Sequence, residues 1–263
     1  MTVAELNGIE IGYDIVGAGP QVLFTHGYQA SRRMWAAQAD ALKDRYTAIT
    51  WDLRGHGESG APDDPSRYSH ELMLGDMNAL LDLAGAASSQ GGGGGDGKAV
   101  LVGHSLGGYA SLLFRLQHPE RVRALVLFGS GPGYRDAEAR QGWNDMAERF
   151  ARSMEEKGLD VLKKASAEVS GARHRSANAL AHASRGMLAQ KDSSVMDTIA
   201  EIDVPTLVLI GSEDKPFIGS IQYMAKKIPG AELVVIEGAG HAASIEKPGA
   251  FNEALLGFLD GLP

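Results

Sequence analysis

The chain has 263 residues, 44% of them hydrophobic and 22% charged, which suffices for a substantial core in one large α/β domain or two smaller ones. A net charge of −8 lacks the basic footprint of a nucleic-acid binder, and the absence of cysteine excludes disulfides and thiolate catalysis. No run approaches the ~20 apolar residues of a membrane helix, and Met1-Thr2-Val3-Ala4-Glu5 lacks the basic and apolar regions of a secretory signal, so a cytoplasmic location is expected.

In chain order, Leu6 to Val16 alternates around Asn7-Gly8 and predicts a β-hairpin. Short apolar runs follow at Val22 to Thr25, Ala48 to Trp51, Ala99 to Val102, Ala124 to Phe128, Thr206 to Ile210 and Leu233 to Ile236. Such runs suit strands buried on both faces of a mostly parallel sheet. Helical patterns lie between or after them at Ser31 to Leu42, Ser69 to Leu83, Leu106 to His118, Ile218 to Lys227 and Lys247 to Leu259. The alternation predicts an α/β layered fold. Ser88 to Gly97 is glycine-rich and reads as a connector. Its Gly92 to Lys98 portion resembles a phosphate-binding loop, but Ala99 stands where a Ser or Thr is required and a strand follows instead of a helix. Gly129 to Ala200 has no strand signal and several helical ones, including Trp143 to Met154 and Ala177 to Leu188.

Gly103-His104-Ser105-Leu106-Gly107 is a G-x-S-x-G sequence between a predicted strand and a predicted helix, the setting this motif requires. Small neighbours allow a sharp turn with Ser105 at its apex, beside the helix N-terminus where backbone N–H groups collect. A serine hydroxyl is a weak nucleophile without a base. Two partners follow later strands: Gly211-Ser212-Glu213-Asp214 after one, Gly238-Ala239-Gly240-His241 after the next.

The order Ser105, Asp214, His241 resembles that of the α/β-hydrolase superfamily; chymotrypsin and subtilisin run differently. Phe24-Thr25-His26-Gly27-Tyr28 looks like the family's H-G loop after the third strand. Asp52-Leu53-Arg54-Gly55-His56-Gly57-Glu58-Ser59 resembles its D-x-R-G-x-G-x-S turn after the fourth. The resemblance implies a mostly parallel eight-stranded sheet flanked by helices. It implies a core of residues 1–129 and 201–263, with a helical cap inserted over 130–200. It also implies an oxyanion hole made by the backbone N–H groups of Tyr28 and Leu106, and an acyl-transfer mechanism without metal or organic cofactor. Asp214 has the family's G-x-x-D spacing; Glu213 is its adjacent rival, with Asp52, Asp192 and Asp203 elsewhere.

Trp143, Met146, Phe150 and Met154 form an apolar stripe at helical spacing. The stripe reads first as packing of the cap onto the core. If a cap exists, some of these residues, here Trp143, Met146 and Phe150 together with Met187, are expected to line a substrate pocket. His26 and His56 are read as loop braces. His104 is expected to point away from the site, and His70, His118, His174 and His182 to be solvated or packed. No histidine spacing suggests a zinc site. A serine nucleophile disfavours the epoxide and carbon–halogen chemistry of relatives that use aspartate there.

The leading functional expectation is a serine hydrolase of a small-molecule carboxylic ester or lactone. The alternatives are carbon–carbon bond hydrolysis of a vinylogous diketone, which would want basic groups such as Arg115, Arg140 or Arg185 in the pocket, and a hydrolase-fold ligand receptor with little turnover.

Overall fold

A computed structural model describes residues 2–89 and 96–263. It opens with the hairpin β1 (Thr2–Leu6) and β2 (Ile9–Val16). Asn7 (φ 49°) and Gly8 (φ 74°) both take left-handed backbone in its two-residue turn, the geometry that matches the twist of the flanking strands. Six further strands follow: β3 (Gln21–Thr25), β4 (Thr47–Trp51), β5 (Ala99–His104), β6 (Val122–Phe128), β7 (Thr206–Gly211) and β8 (Glu232–Ile236). They form one eight-stranded sheet in the order β1-β2-β4-β3-β5-β6-β7-β8. Only the pairings of β2 with β1 and β4 are antiparallel. The glycine-rich connector expected over 88–97 lies mostly outside the described residues, as does most of the phosphate-loop look-alike.

Strand side chains alternate between faces, and each face has its own core. Leu23, Ile49, Trp51, Leu101, Leu125 and Val208 pack with α2 (His70–Ser89), α3 (Leu106–Gln117) and α8 (Lys215–Lys227) through residues such as Met77, Phe114 and Ile221. Val22, Phe24, Val100, Val126, Phe128 and Leu209 pack with α1 (Ala36–Leu42) and α10 (Pro248–Asp260) through Leu42, Phe251 and Leu255. Each such side chain contributes about 1.5–3 kcal/mol on burial. That two-sided burial is why Ala99–Val102, Ala124–Phe128 and Leu207–Ile210 read as unbroken apolar runs. The short α9 (Ala243–Glu246) precedes α10.

Between β6 and β7 the chain is helical: α4 (Ala137–Lys157), α5 (Ala167–Ser170), α6 (Ala177–Ala183) and α7 (Ser194–Thr198). α4 begins six residues before the predicted Trp143, because the Asp136 carboxylate accepts a hydrogen bond from the Ala139 N–H (2.8 Å) and caps the helix there. It ends at Gly158, whose φ of 67° stops it. α6 is shorter than the periodicity predicts. After Ala183 the backbone widens into a π turn over Ser184–Leu188, held by a hydrogen bond between His70 Nε2–H and the Met187 carbonyl (2.9 Å). Ala151, Met154, Leu162, Val169, Leu180 and Ala181 give this segment a small core of its own. Among the described residues no helix is long and apolar enough to cross a membrane.

Candidate active site

Ser105 sits between β5 and α3 with φ 52° and ψ −114°, a strained conformation for a residue with a side chain. Its flanking residues dictate the turn. A Cβ on Gly103 would strike the Gly107 carbonyl, and one on Gly107 would strike the Thr25 carbonyl. Both obstacles are backbone, so only glycine fits. The Ser105 N–H donates to Phe128 O (2.9 Å), while its carbonyl accepts from the Gly108 and Tyr109 N–H groups (3.0 and 3.2 Å) and from the Ser130 hydroxyl (2.7 Å). The apex is thereby fixed to β6 and α3.

Asp214 and His241 leave the ends of neighbouring strands β7 and β8. The loop after β8 is sewn to the loop after β7 by Glu213 N–H to Ala239 O (2.9 Å) and Gly238 N–H to Ser212 Oγ (2.9 Å). His241 Nδ1–H donates to Asp214 Oδ2 at 2.7 Å, with the carboxylate almost fully buried. That bond fixes the tautomer and leaves Nε2 as the basic nitrogen. The ring is clamped. Phe217 stacks on it at 4.8 Å and 19°, and His104 lies 4.4 Å away on a tilted ring.

His104 therefore does not point away from the site. Its Nε2–H donates to the His241 carbonyl (3.0 Å), and burial drives its pKa well down, with His241 adding to the effect. Asp214's rivals are occupied elsewhere: Glu213 is exposed, Asp52 pairs with Arg32, Asp203 with Arg115, and Asp192 accepts from the Ser194 N–H.

Ser105 and His241 face one cavity of about 720 Å³. No hydrogen bond joins Ser105 Oγ to His241 among the described residues. Tyr28 and Leu106 line the same cavity. Neither backbone N–H is engaged within the protein among the described residues, so both are available to an anionic oxygen.

The loop carrying Tyr28 is heavily braced. Leu53 N–H donates to His26 Nε2 (3.0 Å), so His26 Nδ1 holds the proton and gives it to Gly27 O (2.7 Å). Gly27 O also accepts from Ala30 N–H (3.1 Å). Burial lowers the His26 pKa to about 4, against the pull of Asp52, which keeps this brace neutral. Burial likewise drives His56 well down, with His26 adding to the effect. His174 is also lowered by burial, opposed by its bond to Gln29. His174 is neither merely solvated nor merely packed: Nδ1 accepts from Gly57 N–H (3.0 Å) and Nε2–H donates to Gln29 O (2.9 Å).

Of the predicted pocket residues, Trp143, Met146 and Phe150 line the cavity. Trp143 also donates its Nε1–H to Leu188 O (2.9 Å) and packs partly against the main core. Met187 does not line the cavity. It is fully buried in the main core, and Leu188 takes the cavity position instead. The π turn explains the exchange, since it rotates the face that an unbroken helix would present. Ser130, Phe217 and Gln190 were not singled out from sequence. Each reaches the cavity through tertiary contact, and no local spacing marks it. Among the described residues, no group of acidic, histidine or cysteine side chains is arranged to hold a metal ion.

Comparison with known proteins identifies the family to which this fold belongs. The model of the alpha/beta hydrolase family matches residues 22–254. A Bacillus subtilis (strain 168) protein named as a 2-succinyl-6-hydroxy-2,4-cyclohexadiene-1-carboxylate synthase is 28% identical over 96% of both chains. A thermophilic esterase from Thermogutta terrifontis superposes with a TM-score of 0.80 at 28% identity, covering 99% of this chain and 98% of that one. The enol-lactonase from Burkholderia xenovorans LB400 shares the fold, with a TM-score of 0.82 at 23% identity over 98% of this chain and all of its own.

Proposed function

The chain belongs to the alpha/beta hydrolase family, and from that premise we propose that it is a serine hydrolase cleaving a neutral carboxylic ester or lactone through an acyl-enzyme. One observation carries the reading. A strained serine at a helix N-terminus shares a cavity with a histidine whose Nδ1 is held 2.7 Å from a buried carboxylate.

In the proposed cycle, Ser105 Oγ attacks the acyl carbonyl carbon while His241 Nε2 takes its proton. Asp214 holds the imidazole and stabilises the imidazolium that forms. The carbonyl oxygen becomes an oxyanion against the Tyr28 and Leu106 N–H groups; a donor of this kind is worth about 3–4 kcal/mol in the transition state. The intermediate collapses, its C–O bond breaks, and His241 returns the proton to the departing alkoxide. Water, deprotonated by the same nitrogen, attacks the acyl carbon and releases the acid and Ser105. In a lactone, alcohol and acid leave as one hydroxy acid. The helices between β6 and β7 serve as the cap: Trp143, Met146 and Phe150 from α4 supply one wall of the cavity.

The cavity lining also bears on substrate charge. Among the described residues it carries no Asp, Glu, Lys or Arg side chain. The Bacillus subtilis relative is named for a product with succinyl and carboxylate groups. Bringing such an anion into this cavity would strip its water with no countercharge, at a cost of several kcal/mol. The same feature weighs against carbon–carbon hydrolysis of a vinylogous diketone. Arg115 pairs with Asp203, Arg185 with Glu148 and Glu155, and Arg140 with the Tyr134 and Arg135 carbonyls; none of the three lines the cavity.

Steady-state assay of purified protein on p-nitrophenyl esters of graded acyl length, on lactones and on a vinylogous diketone tests the reading. Multiple turnover on esters or lactones, abolished in Ser105→Ala, is expected. Turnover of the diketone alone, or tight binding without turnover, would replace it with one of the two alternatives.

A further inference from the structure

Two peptide planes, the Gly27–Tyr28 plane that carries the proposed oxyanion donor and the Gln29–Ala30 plane beyond it, are fixed by hydrogen bonds, and the outer one is fixed from the helical segment. The Tyr28 N–H belongs to the peptide plane whose carbonyl is Gly27 O, because N–H and C=O of one trans peptide point in opposite directions. Aiming Tyr28 N–H therefore means holding Gly27 O. His26 Nδ1–H and Ala30 N–H both do so, at 2.7 and 3.1 Å. The Ala30 N–H is itself half of the Gln29–Ala30 peptide, whose carbonyl accepts from His174 Nε2–H at 2.9 Å.

Gln29 has φ 64°, a left-handed conformation that a residue with a side chain adopts only when its surroundings hold it there. The Ala30-to-Gly27 bond closes the turn around it, and His174 braces its carbonyl from outside. Gly57 N–H donates to His174 Nδ1 (3.0 Å), so Nε2 carries the proton that Gln29 O receives. His174 lies between α5 and α6 and does not line the cavity that Ser105 and His241 face.

We propose that His174 is a positioning residue for the oxyanion hole: through Gln29 O and the Ala30-to-Gly27 bond it keeps Tyr28 N–H aimed at the developing oxyanion, and so makes catalysis depend on the seating of the helical segment. This rests on the reading of Ser105 as nucleophile and Tyr28 N–H as donor. The links run in series. Each bond polarises the next, and loosening the outer one frees the Gln29 peptide to relax from its strained conformation. A further tie sits beside this chain: Tyr28 Oη–H donates to Leu180 O of α6 (3.0 Å), and the Tyr28 ring stacks on Phe150 of α4 at 6.0 Å. These hold the side chain but leave the N–H direction unset.

The two nitrogens of His174 can be tested apart. His174→Gln extends an amide to where Nε2 stands and keeps a donor for Gln29 O. His174→Asn places an amide near Nδ1, keeping a partner for Gly57 N–H but falling short of Gln29 O. Both variants are polar and close in size to the original, and the thermal midpoint of each is measured alongside kinetics on a p-nitrophenyl ester. The expected result for His174→Asn is a fall in kcat of about 10-fold or more, a part of the 10²–10³ lost when a donor is removed outright, with KM changed less than threefold. An alkylboronic acid, whose tetrahedral adduct with serine presents an anionic oxygen to the hole, should lose affinity in the same proportion. His174→Gln should retain kcat within about threefold. Equal losses in both variants, or a His174→Asn loss confined to KM and thermal midpoint, would overturn the proposal. Wild-type protein with no Ser105-dependent turnover would overturn the reading beneath it instead.

Discussion

Acid should destabilise this protein through His26, and the size of the effect can be worked from its surroundings. The ring is fully buried, donating to Gly27 O and accepting from Leu53 N–H. Burial lowers its pKa from 6.5 to about 4. In the unfolded chain the imidazole takes up a proton near pH 6.5. Between pH 6.5 and 4 the unfolded state therefore binds more protons than the folded one, and stability falls as pH drops through that window. At about 1.4 kcal/mol per tenfold in the equilibrium, His26 alone accounts for a loss of roughly 3 kcal/mol between pH 7 and pH 4. The assay is urea unfolding followed by tryptophan fluorescence at pH 7, 5.5 and 4, on wild type and His26→Asn. Other titrating groups remain in both proteins, so the difference between the two curves isolates His26. The variant should be the less stable at pH 7, having lost the brace, and its deficit should shrink by roughly 3 kcal/mol at pH 4. A deficit independent of pH would refute the assignment of a buried, neutral His26.

Asp214→Asn should lower kcat by about 10³–10⁴ by favouring the wrong tautomer of His241, whereas exposed Glu213→Gln should stay within about twofold of wild type; a silent Asp214→Asn would show that another acid orients the ring. Arg54 and Asp76 form a fully buried two-bond pair at 2.8 Å, so Arg54→Leu should cost about 3–5 kcal/mol in urea unfolding by stranding the carboxylate. Substituting Asp76→Asn as well should recover part of that loss, and a single variant as stable as wild type would contradict the burial of this ion pair. The uncharged cavity predicts that p-nitrophenyl butyrate is preferred over mono-p-nitrophenyl succinate by at least about 10² in kcat/KM, the lower edge of an uncompensated carboxylate's desolvation; equal efficiencies would mean that a cation reaches the acyl site.

The sheet was legible because two-sided burial leaves a plain signature. Val100-Leu101-Val102 and Leu207-Val208-Leu209 are apolar at every position since both faces are covered. Ser105 was legible because the turn excludes a Cβ at Gly103 and Gly107, so the steric demand is written in the letters. Asp214 and His241 followed from their places after strands. What stayed hidden depends on contacts between distant segments. The exchange of Met187 for Leu188 turns on a π turn that periodicity cannot anticipate. His104 and His174 look like any other histidine until the loop after β8 brings the His241 carbonyl to the one and the loop after α5 carries the other to Gly57 and Gln29. The start of α4 was missed because its first turns are polar and exposed, and the signal there was the capping Asp136.

The account rests on one hydroxyl being made nucleophilic by its surroundings, and a fluorophosphonate probe with peptide mass spectrometry measures that directly. Folded wild-type protein should carry a single adduct on Ser105, with labelling abolished in Ser105→Ala and strongly slowed in His241→Gln. A folded protein that resists the probe, or one labelled at another serine, would contradict it.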